Sequence, residues 1–424
     1  MSARAKSDDS PSRWLILGED RLQFPAGWLA VRARGARVTL RHAPTGLERT
    51  FYDFIGGYGS NNFGHGNPAI RRALTAALAS ADHVSVFPTG AALELSRRLV
   101  RACSFASGRC YFTVGGSQAV EIALRIGRLS AAKPGVAVVE GAFHGYGSET
   151  VQLSKDFVPP ELLAALPPAH GVTRLPWNDE RALSQLAEAA PTTGVLLIEP
   201  VLGAAGFRLP DRRWFRALLE VARQEQVLTL IDEIQVGCGR TGRFLAVEHL
   251  LPSRAERRRL VDGVLLSKSI AGGVYPLSAV VLNAERVRDI ESLDETAALG
   301  ESFSNSPLGC AVGLAVLDLL EEDRGRLLKE AARRGAELVR ALRRAASRPG
   351  APGVRGLGMA IVLDYSNKSE AAEFVSRAWE EGVLCYVCGG RLFTCVKLIA
   401  PLTIAPAEFQ DAAERLSRAM GPRG

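Results

Sequence analysis

Val227-Leu228-Thr229-Leu230-Ile231-Asp232-Glu233-Ile234-Gln235 runs directly into Val236-Gly237-Cys238-Gly239-Arg240-Thr241-Gly242, and this stretch decides the fold class. Val227 to Ile231 is a short, largely apolar run with no polar alternation, the pattern of a strand buried on both faces. It ends in two carboxylates. The glycine-rich segment behind them suits neither strand nor helix and reads as a shaped loop. Ionisable groups at the carboxyl end of a buried strand point to an open α/β sheet, which binds ligands along that edge.

The same pattern recurs on both sides. Arg109–Val114, Gly135–Val139, Gly194–Ile198, Gly263–Leu266 and Ala279–Leu282 are further short apolar runs, and helical patterns cover Gln118–Ala132 and Arg212–Gln226. This alternation predicts an α/β domain with a mostly parallel sheet flanked by helices. After Ser306 the pattern changes. A long helix runs from Pro307 to about Glu322 and another from Arg324 to Ala346, followed by short strands, a helix at Ser369–Glu381 and an apolar hairpin-like end at Leu392–Ile404. A smaller α+β domain is expected there, with the strand-rich segment before about Phe51 packed against it. The expected division is a disordered tail at 1–12, an N-terminal segment at 13–60, a large domain at 61–306 and a small domain at 307–424.

At 424 residues the chain exceeds what one hydrophobic core usually serves, and 47% hydrophobic with 23% charged residues supplies ordinary globular cores. The net charge of +7 is dispersed, with dense runs such as Arg254–Arg259 on patterned helices, so no nucleic-acid partner is expected. No apolar run is long enough for a membrane span, and Met1 to Ser12 has no secretory stretch. Seven cysteines without a secretion signal indicate free thiols and a cytoplasmic location. Cys385 and Cys388, with Cys395 nearby, have no neighbouring histidine, which favours buried thiols over a zinc site. No metal is expected. Arginine- and alanine-rich usage fits a GC-rich bacterial genome and a place in secondary metabolism.

Four local signals carry chemistry. Tyr111 to Ala119 passes from an apolar strand through Gly115-Gly116-Ser117 into an amphipathic helix, whose first N–H groups and positive dipole end suit a phosphate. Gly-Gly-Ser is equally an ordinary turn and helix cap. Asp232 at its strand end suits a metal, a base or a cationic ring nitrogen, and no ligand cluster surrounds it. Lys268, in Leu265-Leu266-Ser267-Lys268-Ser269-Ile270-Ala271-Gly272-Gly273, ends another apolar strand beside a glycine pair, a position suited to Schiff-base chemistry if its pKa is depressed. Phe143 and His144 follow the strand at Val139, as a stacking pair for a flat ring or as core filler.

Together these residues resemble the class III aminotransferase family of fold type I pyridoxal-phosphate enzymes. The resemblance covers nearly the whole chain. It begins at Gly56-Gly57-Tyr58-Gly59 and Gly64-His65-Gly66-Asn67-Pro68, is most specific across Asp232 to Gly242, and ends near Ser302-Phe303-Ser304-Asn305 and Ala400-Pro401-Leu402. It implies a seven-stranded sheet and a small domain formed by the two chain ends. It implies pyridoxal 5'-phosphate as cofactor, with Lys268 carrying the Schiff base and moving a proton. Asp232 would keep the ring nitrogen protonated. Gln235 would sit near the phenolic oxygen, Phe143 on the ring face with His144 beside it, and Gly116 and Ser117 at the phosphate. Glu199 joins the implied cofactor residues, and Ser302 would reach the phosphate of the neighbouring subunit in a homodimer.

The resemblance implies transfer of an amino group between a primary amine, ω-amino compound or amino acid and an oxo acid. Racemisation, epimerisation, a 1,2-aminomutase shift or decarboxylation would use the same Lys268 and Asp232 and stays open. The cradle Gly115-Gly116-Ser117-Gln118-Ala119 lacks one hydroxyl and one carboxylate of the family pattern and Ser302 replaces a threonine, but two other departures matter more. The carboxylate-clamping arginine is replaced by Lys397, and the glutamate that masks it by Ala204. A lysine offers charge without a planar two-pronged grip, so unusual handling of glutamate and 2-oxoglutarate is expected. The alternative is that another arginine, such as Arg391, does the clamping.

Overall fold

Three antiparallel strands, β1 (Trp28–Arg34), β2 (Arg37–His42) and β3 (Glu48–Asp53), open the chain in a computed structural model that describes residues 24–80, 84, 87–167, 171–287, 292, 299–347 and 350–421. The expected tail at 1–12 and the start of the segment at 13–60 lie outside the described residues.

The central sheet has seven strands: β4 (Gly108–Thr113), β5 (Gly135–Val139), β6 (Val172–Leu175), β7 (Thr193–Ile198), β8 (Leu228–Asp232), β9 (Gly263–Leu266) and β10 (Ser278–Asn283). Their order is β4-β10-β9-β8-β7-β5-β6, and β10 alone runs against its neighbours β4 and β9. Side chains alternate across the pleat, so two cores form. Val136, Val138, Val195, Leu197, Leu230 and Leu265 meet the helix Gly116–Ala131, while Ala137, Leu196, Ile198, Ile231 and Leu266 fill the larger core behind. Burial on both faces is why these strands read as unbroken apolar runs. The edge strand β6 is the one strand of this sheet that the apolar runs do not predict. It is short and half-buried and carries Arg174, so its apolar signal is weak.

The small domain contains β11 (Gly353–Leu357), β12 (Ala360–Asp364), β13 (Val383–Leu384), β14 (Tyr386–Cys388) and β15 (Cys395–Leu398). Four of these make an antiparallel sheet in the order β11-β12-β15-β14. β13 pairs in parallel with β3, so one sheet is built from both ends of the chain. Trp379 stacks there on Phe51, with ring centroids 4.4 Å apart. The expected hairpin at Leu392–Ile404 is displaced: its arms are β14 and β15, and Ile399–Ile404 follows as irregular, mostly buried chain. The run is apolar because it is core, not because it is strand.

The helix Pro307–Ala345 loses helical backbone angles at Glu322 to Gly325, where the sequence predicts a break between two helices. Its second half touches the turn between β11 and β12. A Cβ on Gly335 would stand 1.7 Å from the Gly358 carbonyl oxygen, and one on Gly358 would stand 2.3 Å from the Thr241 carbonyl carbon. Backbone therefore meets backbone from this helix through the turn to the loop Gly237–Gly242. Arg240 in that loop is fully buried and donates to the carbonyls of Met359 (3.0 Å) and Ala400 (2.6 Å) and to the Asn62 side chain. Among the described residues, no helix is long and apolar enough to cross a membrane.

Candidate active site

The shared direction of β5, β7, β8 and β9 brings His144, Glu199, Asp232 and Lys268 to one edge of the sheet, each at or just beyond a carboxyl end. Asp232 is buried. Its Oδ1 accepts the Ile234 N–H at 3.0 Å, and its Oδ2 lies 2.8 Å from His144 Nδ1. His144 is held in turn by its own N–H, which donates to Ser154 Oγ at 2.8 Å, and its buried Nε2 has no partner among the described residues.

Lys268 leaves β9 in a left-handed conformation, φ 45°, and starts the short 3-10 turn Lys268–Ala271. That region is unfavourable for a side chain with a Cβ and persists where surrounding structure enforces it. Here Ser269 Oγ donates to the Gly59 carbonyl at 2.6 Å, and Ser267 Oγ accepts from Ser278 Oγ at 2.8 Å. Burial pushes the Lys268 amine down to about 8; the Lys397 ammonium pushes the same way, against Asp232 and Glu199.

Glu199 directly follows β7 and braces two loops. Its Oε1 accepts the Phe143 N–H at 2.9 Å and its Oε2 the Gly203 N–H at 2.8 Å. Burial raises its carboxyl to about 7; His144 opposes the shift and Asp232 adds to it. Glu233 faces away and caps the Ala246–His249 turn through the N–H groups of Ala246 and Val247.

The helix Gly116–Ala131 begins behind this edge with Gly115 as a cap that offers no side chain. Its first intrahelical acceptor, the Gly115 carbonyl, serves Ala119, so the preceding N–H groups at Gly116, Ser117 and Gln118 point outward. A Cβ at Gly116 would lie 3.4 Å from Ser267 Oγ, which sets this helix start beside the Lys268 turn. Ser117 Oγ accepts the Tyr146 N–H at 2.9 Å. Phe143 is half-buried, edge-on to Tyr146 at 4.9 Å and to Phe157 at 5.7 Å.

Gln235 links to the small domain: its Nε2 donates to the Tyr58 carbonyl at 3.1 Å, and its Oε1 accepts from Lys397 Nζ at 3.0 Å. Lys397 is buried on β15, with its ammonium 4.7 Å from the Phe207 ring centroid and 5.9 Å from that of Tyr386. Ala204 is half-buried in the turn after Glu199 and brings no carboxylate. Arg391 is exposed; its N–H donates to the Asp156 carbonyl at 3.0 Å and its guanidinium to the Val158 carbonyl. Ser302 is exposed, in a turn anchored to β4 by the Thr113 hydroxyl on Glu301 at 2.7 Å.

Phe207, Arg208 and Tyr386 are site-wall residues that the sequence does not single out. Arg208 bridges to Leu202 and lies 3.7 Å from the Phe393 ring centroid. These residues belong to no local motif: Phe207 and Arg208 sit in the loop after β7, and Tyr386 is brought in by β14. Only the Gly56-Gly57-Tyr58-Gly59 run signals itself, since Gly56, Gly57, Tyr58 and Gly59 all take positive φ.

The family model described as aminotransferase class-III matches residues 23–420. A diaminobutyrate–2-oxoglutarate transaminase of Streptomyces anulatus is 28% identical over 92% of this chain and 93% of its own length. An acetylornithine aminotransferase of Streptomyces coelicolor is 31% identical over 84% and 82%. Among solved structures, the Toxoplasma gondii ornithine aminotransferase, with partial occupancy of pyridoxal phosphate at its active site, superposes with a TM-score of 0.78 at 26% identity, covering 94% of this chain and 91% of that one.

Proposed function

The chain belongs to the class-III aminotransferase family, enzymes that use pyridoxal phosphate, and from that premise we propose which of its residues hold the cofactor and select the substrate. The carrying observation is the buried Asp232–His144 contact, 2.8 Å long, with Asp232 at the end of β8 and paired with β9, the strand that leads into Lys268. The surrounding residues fit the cofactor. A helix start without a side-chain cap suits its phosphate, a buried carboxylate suits its ring nitrogen, and a lysine of depressed pKa suits its aldehyde. The buried His144 Nε2, without a hydrogen-bond partner among the described residues, leaves one polar atom of this cluster available.

When bound, the cofactor supplies an electrophilic carbon for the substrate amine and a conjugated ring that takes up the electron pair left on the substrate carbon. Asp232 would hold the proton on the ring nitrogen, and the Ile234 N–H and His144 keep its two oxygens oriented. The N–H groups at Gly116 and Ser117, with the Ser117 hydroxyl, would take the phosphate oxygens. Phe143 would cover the ring face, and Glu199 positions Phe143 through its backbone. Lys268 would hold the cofactor and, as a free amine with a pKa of about 8, carry the proton at the substrate carbon. Ser302 is assigned to the phosphate of a second subunit, making the working form a homodimer; the proposed location is the cytoplasm.

On the substrate side, Lys397 offers one cation already engaged by Gln235 and Phe207. This supports weak use of glutamate and 2-oxoglutarate and a donor that is an amino acid or ω-amino compound, bulkier or less acidic than glutamate. Arg391 is turned to Val158, which weighs against it as the clamp. Racemisation and aminomutation are not favoured, since the relatives are transaminases.

The test is the absorption spectrum of the holoenzyme with a panel of donors, alongside Lys268→Ala. A yellow band that bleaches with an ω-amine and barely with glutamate, and is missing from the variant, is expected. Fast bleaching by glutamate at low concentration would rule out the substrate assignment, and an unaltered band in Lys268→Ala would rule out the lysine.

A further inference from the structure

β14 and β15 place Cys388 directly opposite Cys395 in register, with their sulfurs 3.2 Å apart. Cys385, which shares the C-x-x-C spacing with Cys388, is buried and is not that residue's partner. From this cross-strand placement we infer that Cys388 and Cys395 form a reversible redox modification site, a dithiol that hydroperoxides convert to a disulfide beside the substrate pocket.

The two thiols are unequal. Cys388 is half-buried and Cys395 buried. Burial opposes ionisation of Cys388, but the hydrogen bond from Cys395 and the cations of Lys397 and Arg355 outweigh it, so its pKa falls below the ordinary thiol value. The same hydrogen bond and burial push Cys395 up. Cys388 is therefore the attacking thiolate. It takes an oxygen from the hydroperoxide, becoming a sulfenic acid and releasing an alcohol, or water from hydrogen peroxide. Cys395 then attacks that sulfur and displaces water. Overall, two thiols and one hydroperoxide give one disulfide, one alcohol or water, and one further water.

Closing the bond draws the sulfurs from 3.2 Å to about 2.05 Å. Lys397 lies two residues from Cys395 on the same face of β15. Gly206, whose added Cβ would stand 2.5 Å from Cys395 Sγ, directly precedes Phe207. The bond thus pulls on both the Lys397 ammonium and the ring under it. This effect on substrate binding rests on the proposed place of Lys397 in the pocket; formation of the bond does not.

The experiment treats the reduced holoenzyme with one equivalent of hydrogen peroxide. The expected result is loss of two of the seven titratable thiols, a mass lower by about 2 Da, a cross-linked Cys388–Cys395 peptide and recovery with dithiothreitol. The KM for the amino donor rises severalfold with kcat nearly unchanged. In Cys395→Ser, Cys388 stops at the sulfenic acid and is captured by dimedone. Peptide maps in which other cysteines oxidise while Cys388 and Cys395 stay reduced would overturn the site. A disulfide that forms at this pair and leaves KM unchanged upholds the site and counts against Lys397 as a substrate residue.

Discussion

At the scale of single residues, two buried charges set the pH behaviour. Lys268 titrates near 8 because it is buried and faces Lys397. Below that pH its neutral fraction falls about tenfold per unit, so capture of added cofactor by the apo-protein slows by the same factor. Lys397→Met removes the like charge, and the midpoint of capture against pH is expected to move upward, while Lys397→Arg leaves it near the wild-type value. An unmoved midpoint in Lys397→Met, followed through the visible absorbance, would sink this coupling. Glu199 works in the other direction. Its folded pKa of about 7 lies above the ordinary 4.5, so its contribution to stability is complete below 4.5 and is lost as pH rises through 7. Thermal melts between those values are expected to show a downward slope that Glu199→Gln flattens.

At the scale of elements, the loop Gly237–Gly242 is held by its packing partners rather than by regular secondary structure. Arg240 ties it to Asn62, Met359 and Ala400, and the Gly335–Gly358 contact fixes the turn it rests on. An alanine in a helix normally gains up to about 1 kcal/mol over glycine. At Gly335 the clash with backbone decides the sign, and Gly335→Ala is expected to lose at least about 2 kcal/mol in urea unfolding. Gly90→Ala, at a helix start with none of the described residues within 4 Å of the new Cβ, is the control and should be neutral or stabilising. Equal effects at both sites would refute the close-contact account.

At the scale of the whole molecule, the proposed dimer supplies Ser302. Its turn is exposed, as a residue reaching a second subunit must be, with Ser302 and Phe303 both open to solvent in the single chain. One hydrogen bond to a phosphate supplies about 1.5 kcal/mol, so Ser302→Ala should retain the cofactor roughly tenfold less tightly. Dilution that splits the dimer should release the cofactor in parallel, with sedimentation velocity and bound-cofactor absorbance falling together. A monomer that keeps its cofactor would exclude the shared site.

Most of the sheet and the identity of its edge were legible in the chain itself. Apolar runs at 135–139, 194–198 and 263–266 report burial on both faces, and Asp232, Lys268 and Gly116 stand at strand or helix ends because the strand period and the helix start are set over a few residues. β6 carries little signal because an edge strand needs less apolar character, and the bounds of the β14–β15 hairpin do not show in the sequence because buried irregular chain and strand share a composition. Tertiary structure alone decided the rest. His144 reaches Asp232 across 88 residues and Lys397 reaches Gln235 across 162, and Cys388 found Cys395 rather than Cys385 through strand register. Such contacts depend on which strands pair and in what register, and that is fixed by closing two cores at once. Local sequence carries strand and helix periods; it carries no record of which distant side chain will share a buried space.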